Sequence, residues 1–244
     1  MAGEAVFVLP GDEIDESLIP QHPKHPLRIG PGLRHVPPSD LVPTLSGALL
    51  TDKKKNSIWV EQGAGRYLPN VGDLVIGTVQ RSTADLYHVS LSDYTANASL
   101  PQLSFELATK KTKPNLSPGA LVYARVTLAN KHMDPELECV SQSTGKADGL
   151  GPLVGGMVFD VSLGMSRRLL MNKSVEEGKI VVLEELGNGG LAFETAVGRN
   201  GKVWVNSEDV GTIIAVRRAI MQTDEHKLGV DQQKKLVRKI LNSK

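Results

Sequence analysis

Phosphodiester cleavage by two metal ions needs carboxylates that converge from different elements on the ions. The acidic pairs of this chain do not have that layout. Asp12-Glu13, Asp15-Glu16, Glu176-Glu177 and Glu184-Glu185 are sequence neighbours, and adjacent carboxylates in loops or on helix surfaces are ordinarily solvated. Zinc is equally ill served. The single Cys139 has no CxxC partner, and His22, His25, His35, His88, His132 and His226 are scattered. His22 and His25 stand three apart with no third ligand beside them. The sequence also lacks a Walker loop and a dinucleotide-binding glycine fingerprint. It therefore predicts a protein that is not an enzyme, with no catalytic residue, metal, cofactor or small-molecule substrate.

The remaining polar candidates are groups that could hold an anion. Arg81, His88, Lys110, Lys111, Lys113 and Lys131 cluster in the middle third of the chain. Their strength is limited by the overall charge, which is only +1. Residues 1–69 hold seven Lys/Arg against eight Asp/Glu, residues 70–144 six against seven, and residues 145–244 fifteen against twelve. Affinity for a phosphate backbone scales with the number of cationic contacts. Any nucleic-acid binding should thus be modest, with partner proteins contributing.

These residues must be positioned by three successive modules. Residues 1–69 are expected to form a small β-domain with an extended arm, because prolines between Pro10 and Pro43 exclude long helices and central strands. Two strand-like stretches follow, 47–51 and 57–61, joined by the Lys53-Lys54-Lys55-Asn56 loop. Residues 70–144 carry five short β-rich runs, at 74–79, 85–91, 96–100, 121–128 and 137–141, with a long connection after the third. That pattern describes an OB-fold barrel. A Gly-rich stretch, 143–156, reads as a linker. Residues 150–244 then run strand (157–163), helix (165–172), helix or turn (175–186), strand (191–197), strand (202–205) and a long helix N-capped by Ser207. This β-α-α-β-β-α order is that of a KH domain. An amphipathic helix over 231–241, with Leu236, Val237, Ile240 and Leu241 on one side, closes the chain. The fold class is multidomain, β followed by α+β.

The module order and its motifs resemble the cap proteins of the RNA exosome, the exosome component three (ribosomal RNA-processing protein forty) family. Gly198-Arg199-Asn200-Gly201 followed by Lys202-Val203-Trp204-Val205 is similar to that family's Gly-x-Asn-Gly signature, and Gly30-Pro31-Gly32-Leu33 to an element of its N-terminal domain. Val71-Gly72-Asp73 and the 118–122 segment are similar to strand entries of S1-type RNA-binding barrels. The resemblance implies a non-catalytic subunit that sits on a ring of ribonuclease-PH-like subunits beside other cap subunits. It implies a role in guiding RNA into the channel for three-prime-to-five-prime degradation and processing, rRNA included. It also implies residence in nucleus, nucleolus and cytoplasm. No 18-residue apolar run or signal-peptide layout points to a membrane. An independent S1/KH RNA-processing or translation factor is the alternative.

Two departures from generic RNA-binding modules stand out. The positions where S1-type barrels stack bases on aromatics fall near Asp85 and His88, while Tyr87 alternates to the opposite face. A backbone-clamping Gly-x-x-Gly belongs between the KH helices, but none occurs there. Gly198–Gly201 lies instead between two strands, where Asn-Gly predicts a type I′ hairpin turn. Gly198, Asn200, Gly201 and Trp204 are thus expected to pack the KH domain on the barrel. Gly30, Pro31, Gly32 and Leu33 are expected to serve assembly.

Overall fold

The computed structural model describes residues 6–242, apart from 24, 39, 54, 62–64, 131, 142–143 and 172–178. It separates two compact units, one drawn from Met1–Gly65 and the other from Arg66–Leu170 and Ile180–Lys244.

The first unit is made of short strands, as its prolines require: β1 (Phe7–Val8), β2 (Arg28–Ile29), β3 (Leu33–Val36), β4 (Asp40–Pro43), β5 (Gly47–Asp52) and β6 (Ser57–Glu61). They form a four-stranded sheet in the order β1-β5-β6-β2 and a β3-β4 hairpin. Part of the expected arm is therefore strand. Val8, Leu41, Leu49, Ile58 and Val60 make the core. Of the lysine loop between β5 and β6, Lys54 lies outside the described residues. Gly30–Leu33 runs tight over β6. The Gly30 N–H donates to the Ile58 carbonyl (2.8 Å), and the Val60 N–H donates to the Pro31 carbonyl (3.0 Å). A Cβ on Gly30 or Gly32 would sit 2.7 Å from the Cβ of Trp59 or Val60, and Gly32 has φ +81°. Only glycine meets both demands at that position.

The second unit opens with the barrel: β7 (Leu74–Ser82), β8 (Leu86–Ser90), β9 (Ala98–Pro101), β10 (Leu121–Asn130) and β11 (Met133–Glu138). The order β11-β9-β8-β7-β10 closes through a β10–β11 pairing, with β9 and β11 parallel. Alternation puts Tyr87, Val89, Val122, Ala124 and Val126 into the core. The fifth strand begins earlier than the expected 137–141. The supposed linker also contains β12 (Gly151–Leu153), which pairs with β10. The physical reason is non-local: β10 offers a free edge that the Gly-rich segment can follow.

The KH segment contains β13 (Met157–Asp160), α1 (Leu163–Leu169), α2 (Val182–Asn188), β14 (Glu194–Val197), β15 (Lys202–Asn206), α3 (Val210–Glu225) and α4 (Val230–Asn242). The β-α-α-β-β-α order with an added helix is present. Both short helices are displaced from expectation: α1 starts and stops earlier than 165–172, and α2 lies later than 175–186, whose residues 175–178 are outside the described set. Ser207 is not the N-cap of α3. Asp209 is, because its carboxylate accepts from the Gly211 and Thr212 N–H groups, whereas the Ser207 hydroxyl donates to the Ala192 carbonyl. The sheet, ordered β13-β15-β14, packs its helices on one face through Val203, Val205, Ile213, Val216 and Ile220. Its other face, through Ala196, Trp204 and Val158, packs on Ile76, Leu121 and Tyr123 of the barrel.

Candidate nucleic-acid interface

The barrel's outward row is set by register. Arg81 on β7 stands opposite His88 on β8, and His88 opposite Ser99 on β9. A bulge between Val79 and Arg81 leaves both Gln80 and Arg81 exposed where strict alternation would bury one; bulges commonly re-aim side chains this way. His88 is half-buried, and Asp85 is exposed at the head of β8. Tyr87 is 1% exposed and unavailable for stacking. Its hydroxyl donates to the Pro114 carbonyl (2.6 Å) and accepts from the Leu116 N–H (3.4 Å), so it ties down the long β9–β10 connection.

That connection sorts the lysines. Lys110 and Lys111 are exposed in a turn closed by Thr109 and Thr112, whose hydroxyls bond each other at 2.8 Å. Lys113 is half-buried and its ammonium donates to Oε1 of Gln102. Gln102, itself buried, donates through Nε2 to the Ser82 hydroxyl (3.0 Å) and the Thr83 carbonyl (2.8 Å). A recess of about 300 Å³ results, lined by Ser82, Thr83, Ala84, Tyr87, Gln102, Lys113 and Asn115. Lys113 is therefore brought beside the β7–β8 turn that follows Arg81, whereas Lys110 and Lys111 are not held there. Lys131 lies outside the described residues. Gln102 went unnoticed in the sequence because a glutamine at a strand end carries no motif. Its partners lie 11 to 20 residues away.

The Gly198–Gly201 hairpin inserts into the barrel. The Asn200 Oδ1 accepts from the Ile76 N–H (3.2 Å), and its Nδ2 donates to the Ile76 and Leu91 carbonyls (2.8 and 2.7 Å). The turn is not type I′. Gly201 alone has positive φ (+78°), and its N–H donates to the Gly198 carbonyl (3.1 Å). This is a three-residue hairpin loop ending in a glycine bulge, which leaves the Asn200 side chain free to point into the barrel. The Arg199 Nε pairs with Asp73 Oδ1 at 3.1 Å, and the Tyr67 hydroxyl donates to Asp73 Oδ2 at 2.9 Å. Burial, then the Asp73 charge, pushes the Tyr67 phenol well above its ordinary pKa. The Trp204 indole donates to the Gly155 carbonyl (2.9 Å).

Catalytic features are sparse. Among the described residues no three His, Cys, Asp or Glu side chains are grouped to hold a metal. Burial pushes the Cys139 thiol up to about 12, with the nearby Glu138 charge adding to it; a thiol so poised makes a poor nucleophile. Among the described residues no helix is long and apolar enough to cross a membrane. The segment joining α1 and α2, residues 170–181, contains Gly178 as its one glycine, so it has no clamp motif.

Three family models match the chain. Residues 27–66 match the "Exosome complex exonuclease Rrp40 N-terminal domain", residues 67–151 the "Exosome complex component RRP40, S1 domain", and residues 156–211 a KH domain. Among curated relatives, Exosome complex component RRP40 of Saccharomyces cerevisiae is 35% identical, covering 89% of this chain and 88% of its own. Its Schizosaccharomyces pombe counterpart is 37% identical, covering 91% of each. The Homo sapiens protein of that name is 34% identical over 88% of this chain and 76% of its own. A crystal structure assigned as an exosome complex RNA-binding protein superposes with a TM-score of 0.55 at 22% identity, covering 72% of this chain and 95% of that one. At that identity the likeness speaks to fold.

Proposed function

This chain belongs to the RRP40 family of exosome complex components, and from that premise we propose that it is a non-catalytic, RNA-binding cap subunit of an exosome. In this reading it stabilises a ring of ribonuclease-PH-like subunits together with other cap subunits. It guides RNA into the channel for three-prime-to-five-prime degradation and for processing of rRNA, in nucleus, nucleolus and cytoplasm.

The observation that carries the reading is the division of labour inside the second unit. The KH sheet spends one face on the barrel and the other on its own helices. The barrel's outer row meanwhile keeps Arg81 and His88 accessible, with Lys113 in the adjoining recess. The barrel's Tyr87 is buried and the stacking position at Asp85 is an acid, so this face supplies charge and hydrogen bonds without strong base stacking. Such a face suits transient, sequence-independent passage of RNA.

Three measurements test it. Pull-down of the intact chain should return ribonuclease-PH-like ring subunits; their absence overturns the assembly role. A filter-binding titration of single-stranded RNA should give weak, salt-sensitive affinity for the isolated chain. Submicromolar affinity at physiological salt would favour an independent RNA-binding factor. RNA incubated with the pure chain and magnesium should stay intact.

A further inference from the structure

The outward face of α3 is unlike an ordinary solvated helix surface. Thr212, Ile213, Ala215, Val216, Ala219, Ile220 and Thr223 point into the core. The opposite stripe, at spacings of three and four, is Val210, Ile214, Arg217, Arg218 and Met221, with the exposed Glu225 one turn beyond at the end of the helix. Residues so spaced share one helix face. Val210 is 65% exposed, Ile214 50% and Met221 39%. Among the described residues neither Arg217 nor Arg218 has an ion-pair partner. Neighbouring α4 shows what a plain solvated stripe looks like here: Gln232, Lys235, Arg238 and Lys239 are exposed with no large apolar residue among them.

Apolar side chains flanking two unpaired guanidiniums match the composition of a protein–protein interface, where Met and Arg are enriched and Lys depleted. The geometry points to α3 as a docking face for a partner protein segment that is amphipathic and acidic. Its apolar residues would cover Val210, Ile214 and Met221, and its carboxylates would take Arg217 and Arg218 in bidentate hydrogen bonds. RNA is the poorer occupant. The stripe has no aromatic for a base to stack on, and three aliphatic side chains would lie against a phosphate backbone with nothing to bury them. This inference is independent of the RNA-binding reading, because it concerns a different surface and a different class of ligand.

The test uses the full chain and a synthetic helical peptide carrying Leu at helical spacing with interleaved Glu, beside a counterpart with Lys in place of Glu. Fluorescence anisotropy should show the Glu peptide binding and the Lys peptide binding about tenfold more weakly or worse, the equivalent of about 1.4 kcal/mol. Arg217→Glu/Arg218→Glu should reverse that preference. Ile214→Asp and, separately, Met221→Asp should abolish binding of both peptides while leaving the far-ultraviolet circular dichroism unchanged. These positions are solvent-facing, so the fold does not depend on them. The proposal is overturned if the wild-type chain binds neither peptide, if it binds both equally, or if the two Asp variants bind as well as wild type. Displacement of the Glu peptide by single-stranded oligouridine, lost in the Arg217→Glu/Arg218→Glu variant, would make the face an RNA site and overturn it too. The filter-binding result for RNA at the barrel is read separately and does not move with these variants if the two surfaces are distinct.

Discussion

Asn200 is a single side chain that meets three backbone groups of another module. Removing it leaves an N–H and two carbonyls of the barrel buried and unpaired, which costs more than the lost bonds alone. Asn200→Ala should destabilise the second unit by about 3 kcal/mol in urea melts. Asn200→Asp should be at least as damaging, because a carboxylate would face the Ile76 and Leu91 carbonyls that the amide now serves. Lys113 offers a contrasting expectation. If it contacts one RNA phosphate, Lys113→Gln lowers the slope of log K against log salt by about 0.7, the single-strand value per contact. Lys110→Gln/Lys111→Gln, on an exposed turn, should lower affinity less than Gln102→Leu, which releases the Lys113 ammonium from its place in the recess. Filter binding across salt concentrations checks both. Tyr67 adds a pH dependence. Its phenol pKa is raised in the folded chain, so the unfolded chain loses that proton first, near the ordinary phenol value of about 10. The stability it contributes is complete below that pH and falls as pH climbs above it. Thermal melts above about pH 10 should show Tyr67→Phe losing less stability per pH step than wild type.

At the scale of elements, the crossing of Gly30–Leu33 over β6 is an unforgiving segment of the first unit. Gly32→Ala must place a Cβ against Val60 at a positive φ, and should cost about 1–3 kcal/mol, seen as an earlier loss of the first unit's circular dichroism on heating. This segment was legible because glycine and proline announce backbone geometry directly. The barrel strands were legible for a similar reason: Tyr87, Val89 and Leu91 alternate with His88 and Ser90 over a length that only a strand explains. β12 was not legible. Gly151 has φ +135° and is followed by Pro152, which has no N–H for a ladder, so nothing local favours a strand, and its pairing comes from the open edge of β10. The α3 cap was misplaced by two residues, since Ser207 and Asp209 are both good caps and only the Ala192 carbonyl decides which is spent elsewhere. In the candidate site, the cationic residues could be picked by type, but the recess could not. Gln102, the Ser82–Thr83 turn and Lys113 converge only after the barrel closes.

At the scale of the whole molecule, the barrel and the KH segment share an apolar contact built from Ile76, Ala196 and Trp204, rimmed by Leu121, Tyr123, Leu153 and Val158. They should therefore unfold together, with denaturation followed by Trp204 fluorescence and by far-ultraviolet circular dichroism of residues 66–244 giving coincident transitions. Expressing residues 156–244 alone would expose Trp204 and Ala196, and should yield a less stable, aggregation-prone fragment. The hairpin that joins the two modules has one more consequence, on the scale of protein lifetime. Asn-Gly is the dipeptide most prone to spontaneous deamidation, which begins when the glycine nitrogen attacks the asparagine amide carbon. In the folded chain the Asn200 amide is held by Ile76 and Leu91, and the Gly201 N–H is engaged by the Gly198 carbonyl. The native fold thus shields this Asn-Gly pair, while the second, Asn188-Gly189, lies exposed at the end of α2. A chain that lingers unfolded should acquire an acid at Asn200 and lose its way back, so ageing at this one amide would record how long each molecule has spent out of its folded state.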